Sequence, residues 1–424
     1  METSGAGPAN VAPSPCKPPP RASFLSEARF FTGLHTRKSA TVRALPNSFH
    51  LTPLLKLTPG DRLLVIAPHP DDESLATGGL IQRAVKLSAD VRVIFISDGD
   101  NNPWPQRVLE RRWQIGAPGR QRWGARRRAE AVAALRILGV PASSVVFLGW
   151  PDQGTTAALL HAREESIAIL TREIESCSPT VIAVPSPHDV HPDHNSLAVQ
   201  LQLALARTTC HPRQLRYFVH RRGKLPRHHA TLRLTEAEQA TKREAILCHA
   251  TQMVLSRRRF VAYARSTEIF FPTDAAPPDH PIRDAIIEAG ALCISLKPGK
   301  LAPGRLLIAF ESVVEGSVRW SVTLQSRPGL ARIHDAATGA PRRSGTVRTQ
   351  RGRLEVRIPL APVLPVARIF VKYDRRLAFY DSAGWREVPV QATDPRSCSA
   401  LPFSATSSSS PSFAPSSFGG ASVG

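Results

Sequence analysis

Between residues 63 and 186 four short apolar runs, LLVIA (63–67), VRVIFIS (91–97), SVVFLG (144–149) and TVIAVPS (180–186), alternate with stretches of helical period. Those stretches are Leu75–Leu87, Arg126–Leu138 and Ala162–Cys177, with a further one at Ser196–Arg207. Apolar runs without in-and-out alternation suit strands buried on both faces. The alternation predicts an α/β fold, a Rossmann-like and mostly parallel sheet with helices on both faces and right-handed crossovers. In such sheets the loops beyond the carboxyl ends of the strands build the ligand site. Function is therefore expected in the residues that follow each run.

A chain of 424 residues is long for a single core, so two folded units are expected. Residues 1–48, a Pro, Ala and Ser mixture without a sustained period, read as a disordered leader. The α/β unit then occupies 49–272. The breaker-rich PTDAAPPDHP marks a linker over 273–284, and 285–394 changes to period two. The strands expected there are ALCISL, RLLIAFESV, SVRWSVTL, RLEVRIPL, ARIFVKY and LAFYD, which predict a smaller all-β, sandwich-like domain. From 395 to 424 Ser dominates, and a disordered tail is expected. No internal repeat of solenoid length is present.

A net charge of +21 favours anionic ligands or surfaces, although an Arg-rich proteome with solvated basic faces is the stronger explanation, and no specific nucleic acid is predicted. The six cysteines are scattered and form no CxxC pair, so neither a disulfide framework nor a thiolate zinc site is indicated, and a cytoplasmic, reducing location is expected. No apolar run reaches the roughly 18 to 20 residues that span a bilayer. The stretch Arg21–Arg43, rich in Arg, Ser and Thr with Glu27 as its only acid, shares the composition of an organelle transit peptide.

The first run ends in APHPDDE, which sets His69, Asp71 and Asp72 just past a strand end. The fourth ends in PSPHDVHPDHN and adds His188, Asp189, His191, Asp193 and His194 at the same edge. Crowding carboxylates and imidazoles there is costly unless a cation neutralises them. A lone Asp such as Asp72 would serve equally as a helix cap. Two such clusters at neighbouring strand ends favour a divalent metal. Catalytic zinc takes three nitrogen or oxygen ligands and keeps one position open, a set that His69, Asp72 and His194 would supply. Asp71 is then the candidate general base and His191, as an imidazolium, the candidate oxyanion stabiliser. Asp193 is expected to hydrogen-bond a neighbouring histidine. His188 and Asp189 either orient ligands or are turn residues. The pair Gly78-Gly79 makes no GxGxxG and is expected to serve helix packing rather than a dinucleotide.

PHPDDE (68–73) and HPDH (191–194) resemble the two metal motifs of the LmbE/PIG-L family of zinc-dependent N-deacetylases. SDG (97–99), RRAEAVAALRILGV (127–140), FLGWPD (147–152), KREAILCHATQ (242–252) and Glu268-Ile-Phe resemble further family signatures in order, so the resemblance covers about residues 60–272. It implies zinc on His69, Asp72 and His194, Asp71 as base and His191 on the carbonyl or oxyanion. It also implies Arg127 and His249 near the substrate. The expected reaction is hydrolysis of an N-acetyl amide on an N-acetylglucosamine-containing sugar or glycoconjugate. A catalytically silent glycan- or anion-binding protein is the alternative. A two-metal phosphoesterase would need bridging carboxylates that are not evident. Eight arginines against one glutamate between Arg107 and Arg128 read either as an acidic-substrate path or as a solvated basic loop, and the β-rich region as a sugar-binding or oligomerising module.

Overall fold

The computed structural model describes residues 52–221, 228–272, 279–297, 304–312, 314–324, 329–350, 353–375 and 380–390. The expected leader and tail lie outside the described residues, as do positions 273–278 of the expected linker.

Five strands form the first sheet: β1 (Arg62–Ala67), β2 (Asp90–Ser97), β3 (Val145–Trp150), β4 (Val181–Pro185) and β5 (Arg213–Tyr217). All pairings are parallel and the order is β3-β2-β1-β4-β5. The chain builds outward from β1 through β2 and β3, then returns to lay β4 on the other side of β1. Connections after β1 and β4 therefore diverge and leave a crevice at their carboxyl ends. The fifth strand, RQLRY, escaped the sequence reading because three of its five residues are polar, as an edge strand permits.

The helices are α1 (Asp72–Lys86), α2 (Pro103–Glu110), α3 (Ala117–Ile137), α4 (Thr155–Leu160), α5 (Arg163–Cys177), α6 (Pro192–Leu205), α7 (Glu236–Cys248) and α8 (Ala250–Val261). A small antiparallel pair, β6 (Ala230–Arg233) with β7 (Thr267–Phe270), lies beside them. Leu63, Val65 and Ala67 of β1 share a core with Leu80, Leu135 and Ile246 of α1, α3 and α7. Leu64 and Ile66 point the other way, towards Ile167 and Leu170 of α5 and Leu197 and Leu201 of α6. Helix α7 starts in a capping box between Thr235 and Glu238. The Gly78-Gly79 pair lets α1 meet its neighbours closely: a Cβ on Gly79 would lie 2.3 Å from Leu234 Cδ2.

Nine further strands form one antiparallel sheet: β8 (Ile282–Glu288), β9 (Ala291–Leu296), β10 (Gly304–Ser312), β11 (Gly316–Thr323), β12 (Gly329–Asp335), β13 (Pro341–Gln350), β14 (Arg353–Pro359), β15 (Val366–Arg375) and β16 (Arg386–Val388). Its order is β16-β15-β10-β11-β12-β13-β14-β9-β8. The all-β expectation holds, but the strands form a single, nearly closed sheet around Leu306, Ile308, Phe310, Ile333, Val356 and Ile369. Period two marks a buried face without saying whether that face looks at a second sheet or inward round a curl. Of the expected strand LAFYD, residues 377–379 lie outside the described residues, and Tyr380 and Asp381 are not in a strand.

Strands β10 and β15 are buried on both faces. Leu307, Ala309 and Phe370 turn away from their own sheet's core and join Leu159, Leu197 and Leu201 of the α/β unit. That explains the unbroken apolar run RLLIAF, which resembles a parallel-sheet strand more than an exposed-face one.

Candidate metal centre

Both sequence clusters arrive at the crevice between β1 and β4. His69, Asp71 and Asp72 occupy the β1 to α1 turn, and His188 to His194 occupy the β4 to α6 turn. All are buried. His69 Nδ1 lies 3.3 Å from Asp72 Oδ2 and 3.3 Å from His194 Nε2, and His194 Nε2 lies 3.3 Å from the same Asp72 oxygen. Three donor atoms thus form a nearly equilateral triangle. Zinc about 2.0–2.1 Å from each of three tetrahedral donors separates them by about 3.3–3.4 Å. The donor set and its spacing fit such an ion.

Electrostatics point the same way. Burial, the largest influence on His194, works to lower its pKa, yet Asp72 and Asp189 push the imidazole up to about 10. His69 is likewise raised against its burial by Asp152, Asp193 and Asp72. Asp72 is held well below the carboxylate range by His194 and His69 although burial acts to raise it. Carboxylates that make His69 and His194 hold protons so firmly give that corner of the pocket a surplus of negative charge, which a divalent cation would meet.

The remaining carboxylates orient the triangle. Asp193 Oδ2 stands 3.1 Å from His69 Nε2 while accepting from Gln153 N, and its other oxygen accepts from Thr155 N. Asp152 Oδ1 is 3.2 Å from the same His69 nitrogen. Asp189 Oδ2 faces His194 Nδ1 at 3.3 Å and accepts from the backbone of Val219 and His220, while its Oδ1 accepts from His191 N. His69 and His194 therefore each have a carboxylate at the ring nitrogen that faces away from the triangle, an arrangement that would orient them towards an ion. Among the described residues three other groupings, His69 with His191 and His194, Asp72 with His194 and His220, and His69 with Asp152 and Asp193, also bring ligand atoms within 4.8 Å.

Asp71 stands apart. Its backbone adopts φ 151°, ψ −29°, a region rarely used by residues with a Cβ. Asp71 N donates to Glu73 Oε2 at 3.0 Å, and Arg127 Nη2 donates to Asp71 Oδ2 at 3.1 Å. Burial dominates and pushes the Asp71 carboxyl up to about 6 against the opposing charge of Arg127. Arg127, implied near the substrate by the resemblance, is buried and also donates to Gly99 O and Pro70 O. Gly99 has φ 61°, and a Cβ there would strike Arg127 Nη1, which gives the SDG turn its reason. His249 packs behind the site, with Nε2 3.1 Å from Glu73 Oε1, so that it braces Asp71 through Glu73.

His191 caps α6, its Nδ1 accepting from Asp193 N at 3.2 Å, which places its proton on Nε2. Burial first, then His69, His194 and His220, hold its pKa well below the ordinary value. Burial and the three neighbouring imidazoles thus oppose the imidazolium expected from the sequence and favour the neutral ring with Nε2–H as donor. His188 is turned away from the triangle, its ring edge-on to His280 at 5.6 Å.

Sequence reasoning assigned no role to Asp152, Glu73 or His220. Asp152 ends FLGWPD, beyond the carboxyl end of β3, so the strand-end rule would have found it. His220 meets His194 edge-on, with ring centroids 5.2 Å apart; its pKa is pushed down to about 4, chiefly by burial, and it follows the unrecognised β5. The Arg-rich segment is mostly helix, not loop. Arg107 lies between the exposed Trp104 and Trp113 rings at 4.9 and 4.7 Å, and Arg128 pairs with Asp98.

Residues 64–204 match the family described as PIG-L: GlcNAc-PI de-N-acetylase. The 1D-myo-inositol 2-acetamido-2-deoxy-alpha-D-glucopyranoside deacetylase of Gordonia bronchialis is 32% identical over 177 residues, 37% of this chain and 61% of that protein. The deacetylase of the same description from Mycobacteroides abscessus is 34% identical over 148 residues, 31% of this chain and 51% of that one. The chain thus spans between half and about three fifths of the length of these relatives. The solved N,N'-diacetylchitobiose deacetylase of Pyrococcus horikoshii is similar at 19% identity over 53% of this chain and 88% of that one, with a TM-score of 0.38. Over residues 64–204 the chain is thus similar to the PIG-L family.

Proposed function

We propose that this protein hydrolyses an N-acetyl amide on an N-acetylglucosamine-containing sugar or glycoconjugate, releasing acetate and a free amine. The observation that carries the reading is the triangle of His69 Nδ1, Asp72 Oδ2 and His194 Nε2 at zinc-ligand spacing, with Asp71 beside it. Zinc held there would supply Lewis acidity towards the carbonyl and lower the pKa of water to about 7.

The chain's own groups complete the chemistry. Asp71, with a pKa near 6, is ionised at neutral pH and basic enough to take a proton from the attacking water, then return it to the departing amine. Arg127 keeps the carboxylate aimed. His191 Nε2–H would donate to the oxygen on which negative charge develops, at no cost in added positive charge. Asp193, Asp152 and Asp189 orient the imidazoles.

The organisation proposed is a deacetylase domain over 49–272 with an accessory domain over 285–394. Among the described residues no helix is long and apolar enough to cross a membrane, and Cys177, Cys210, Cys248 and Cys293 are free, which suits a cytoplasmic setting. Acetate release by the zinc-loaded full chain from a panel including N-acetylglucosaminyl-inositol and chitooligosaccharides tests the reading. Release that requires both zinc and Asp71 supports it; a silent panel with zinc bound removes it.

A further inference from the structure

The second sheet lies outside residues 64–204, yet it reaches the loop that carries His191 and His194. Strand β15 sends Lys372 outward, next to Phe370, and Lys372 Nζ meets Asp381 Oδ2 at 2.6 Å with both side chains buried. Asp381 Oδ2 in turn accepts from Asn195 Nδ2 at 2.7 Å, and Lys372 Nζ donates to Asn195 Oδ1 at 3.2 Å. Asn195 follows His194 directly. Its Nδ2 also donates to Asp189 O at 3.0 Å and His191 O at 2.9 Å.

Backbone contacts run alongside. Asp381 N donates to Val190 O at 2.9 Å and Trp385 N to Pro187 O at 2.7 Å. Packing is tight enough that a Cβ on Gly384 would collide with Pro187 O at 1.7 Å. The Tyr380 ring stands 5.8 Å from that of His191 and 5.7 Å from that of His220.

We infer that the nine-stranded sheet is a working part of the metal centre: Lys372 and Asp381 position Asn195, and through it the turn bearing Asp189, His191 and His194. This rests on the zinc reading of that site and adds to it a pair of positioning residues from outside the matched region. A separate sugar-binding or oligomerising module would not need a buried ion pair aimed at the turn between β4 and α6. An ion pair that only stabilised the fold would be replaceable by apolar groups of similar size without effect on the site.

That contrast supplies the test, carried out on the full chain. The double variant Lys372→Met/Asp381→Leu removes the pair without leaving a buried charge unpaired. Zinc affinity is read by competition with a fluorescent chelator, with acetate release and Tm measured in parallel. A Tm close to wild type together with zinc affinity about 10- to 100-fold weaker, and kcat lowered more than KM is changed, is the expected result. Wild-type zinc affinity and kcat in the folded double variant would overturn the inference. If that variant does not fold, Asn195→Ala, which leaves the ion pair intact and removes the amide through which it acts on the turn, decides: about 10-fold weaker zinc binding is expected, and unchanged binding overturns the inference. A wild-type chain that binds no zinc sinks the metal reading, and this inference with it. Zinc binding without acetate release sinks the deacetylase alone.

Discussion

Arg127 Nη2 bridges Asp71 Oδ2 at 3.1 Å and Pro70 O at 2.8 Å, so a single guanidinium holds both the carboxylate and the backbone of the residue before it. Loss of that cation removes the largest influence opposing burial, and burial already pushes Asp71 up to about 6. In the proposed reaction the base works ionised, so activity should rise with pH through its pKa. In Arg127→Met the acid limb of kcat/KM should move from near pH 6 to above about 7. An unmoved limb would mean that Arg127 acts on the substrate instead.

Asp71→Asn keeps the shape of the base and removes its proton affinity. Zinc content, read by mass spectrometry, should stay at the wild-type level while kcat falls about 10²- to 10⁴-fold. Persistent activity would reassign the base.

His69 Nε2 is aimed by Asp193 and Asp152 rather than by the backbone. Asp193→Ala is expected to weaken zinc affinity about 10- to 100-fold, whereas His194→Ala should abolish stoichiometric zinc. Calorimetric titration of zinc into the chelator-treated chain distinguishes the two.

Gly79 lies in the middle of α1, where alanine would gain about 1 kcal/mol of helix propensity if space allowed. Space is lacking, because the added methyl meets Leu234 and approaches the Glu268 carboxylate that accepts from Gly79 N. Gly79→Ala should therefore destabilise by about 1–3 kcal/mol, seen as a lowered denaturant midpoint with unchanged zinc stoichiometry.

Asp335 anchors the turn between β12 and β13, accepting from Ala337 N and Thr338 N and pairing with Arg163 and Arg342. Burial acts to raise its pKa, but these partners bring it down to about 2. A depressed carboxyl stabilises the fold above its unfolded value near 3.8 and loses that contribution as pH falls towards 2. Asp335→Asn should lower Tm at pH 7, with the difference from wild type shrinking below about pH 4.

Much of the site was legible because it is written in two short stretches. His69, Asp71 and Asp72 follow one apolar run, His191 and His194 another, and the strand order makes those runs neighbours. Asp193 was expected to hold a histidine within its own stretch and instead reaches His69, 124 residues away. Arg127 and His249 were placed near the site by resemblance, yet periodicity could not reveal that they brace Asp71 and Glu73 rather than point into open space. Lys372 and Asp381 left no trace at all. Their pairing with Asn195 exists only once β15 is packed on α6, and neither residue falls in a motif. The lowered pKa of His191 was equally hidden, since it depends on burial first and then on the imidazoles of His69, His194 and His220 around it.

The triangle formed by His69, Asp72 and His194 also has a mechanical consequence. Its two loops are 125 residues apart in sequence, so an ion bridging them is a cross-link across nearly a third of the chain. Saturating the site would tie the halves of the first sheet together much as a staple does, and stability would climb with free zinc, by about 2.7 kcal/mol at a hundredfold excess over Kd.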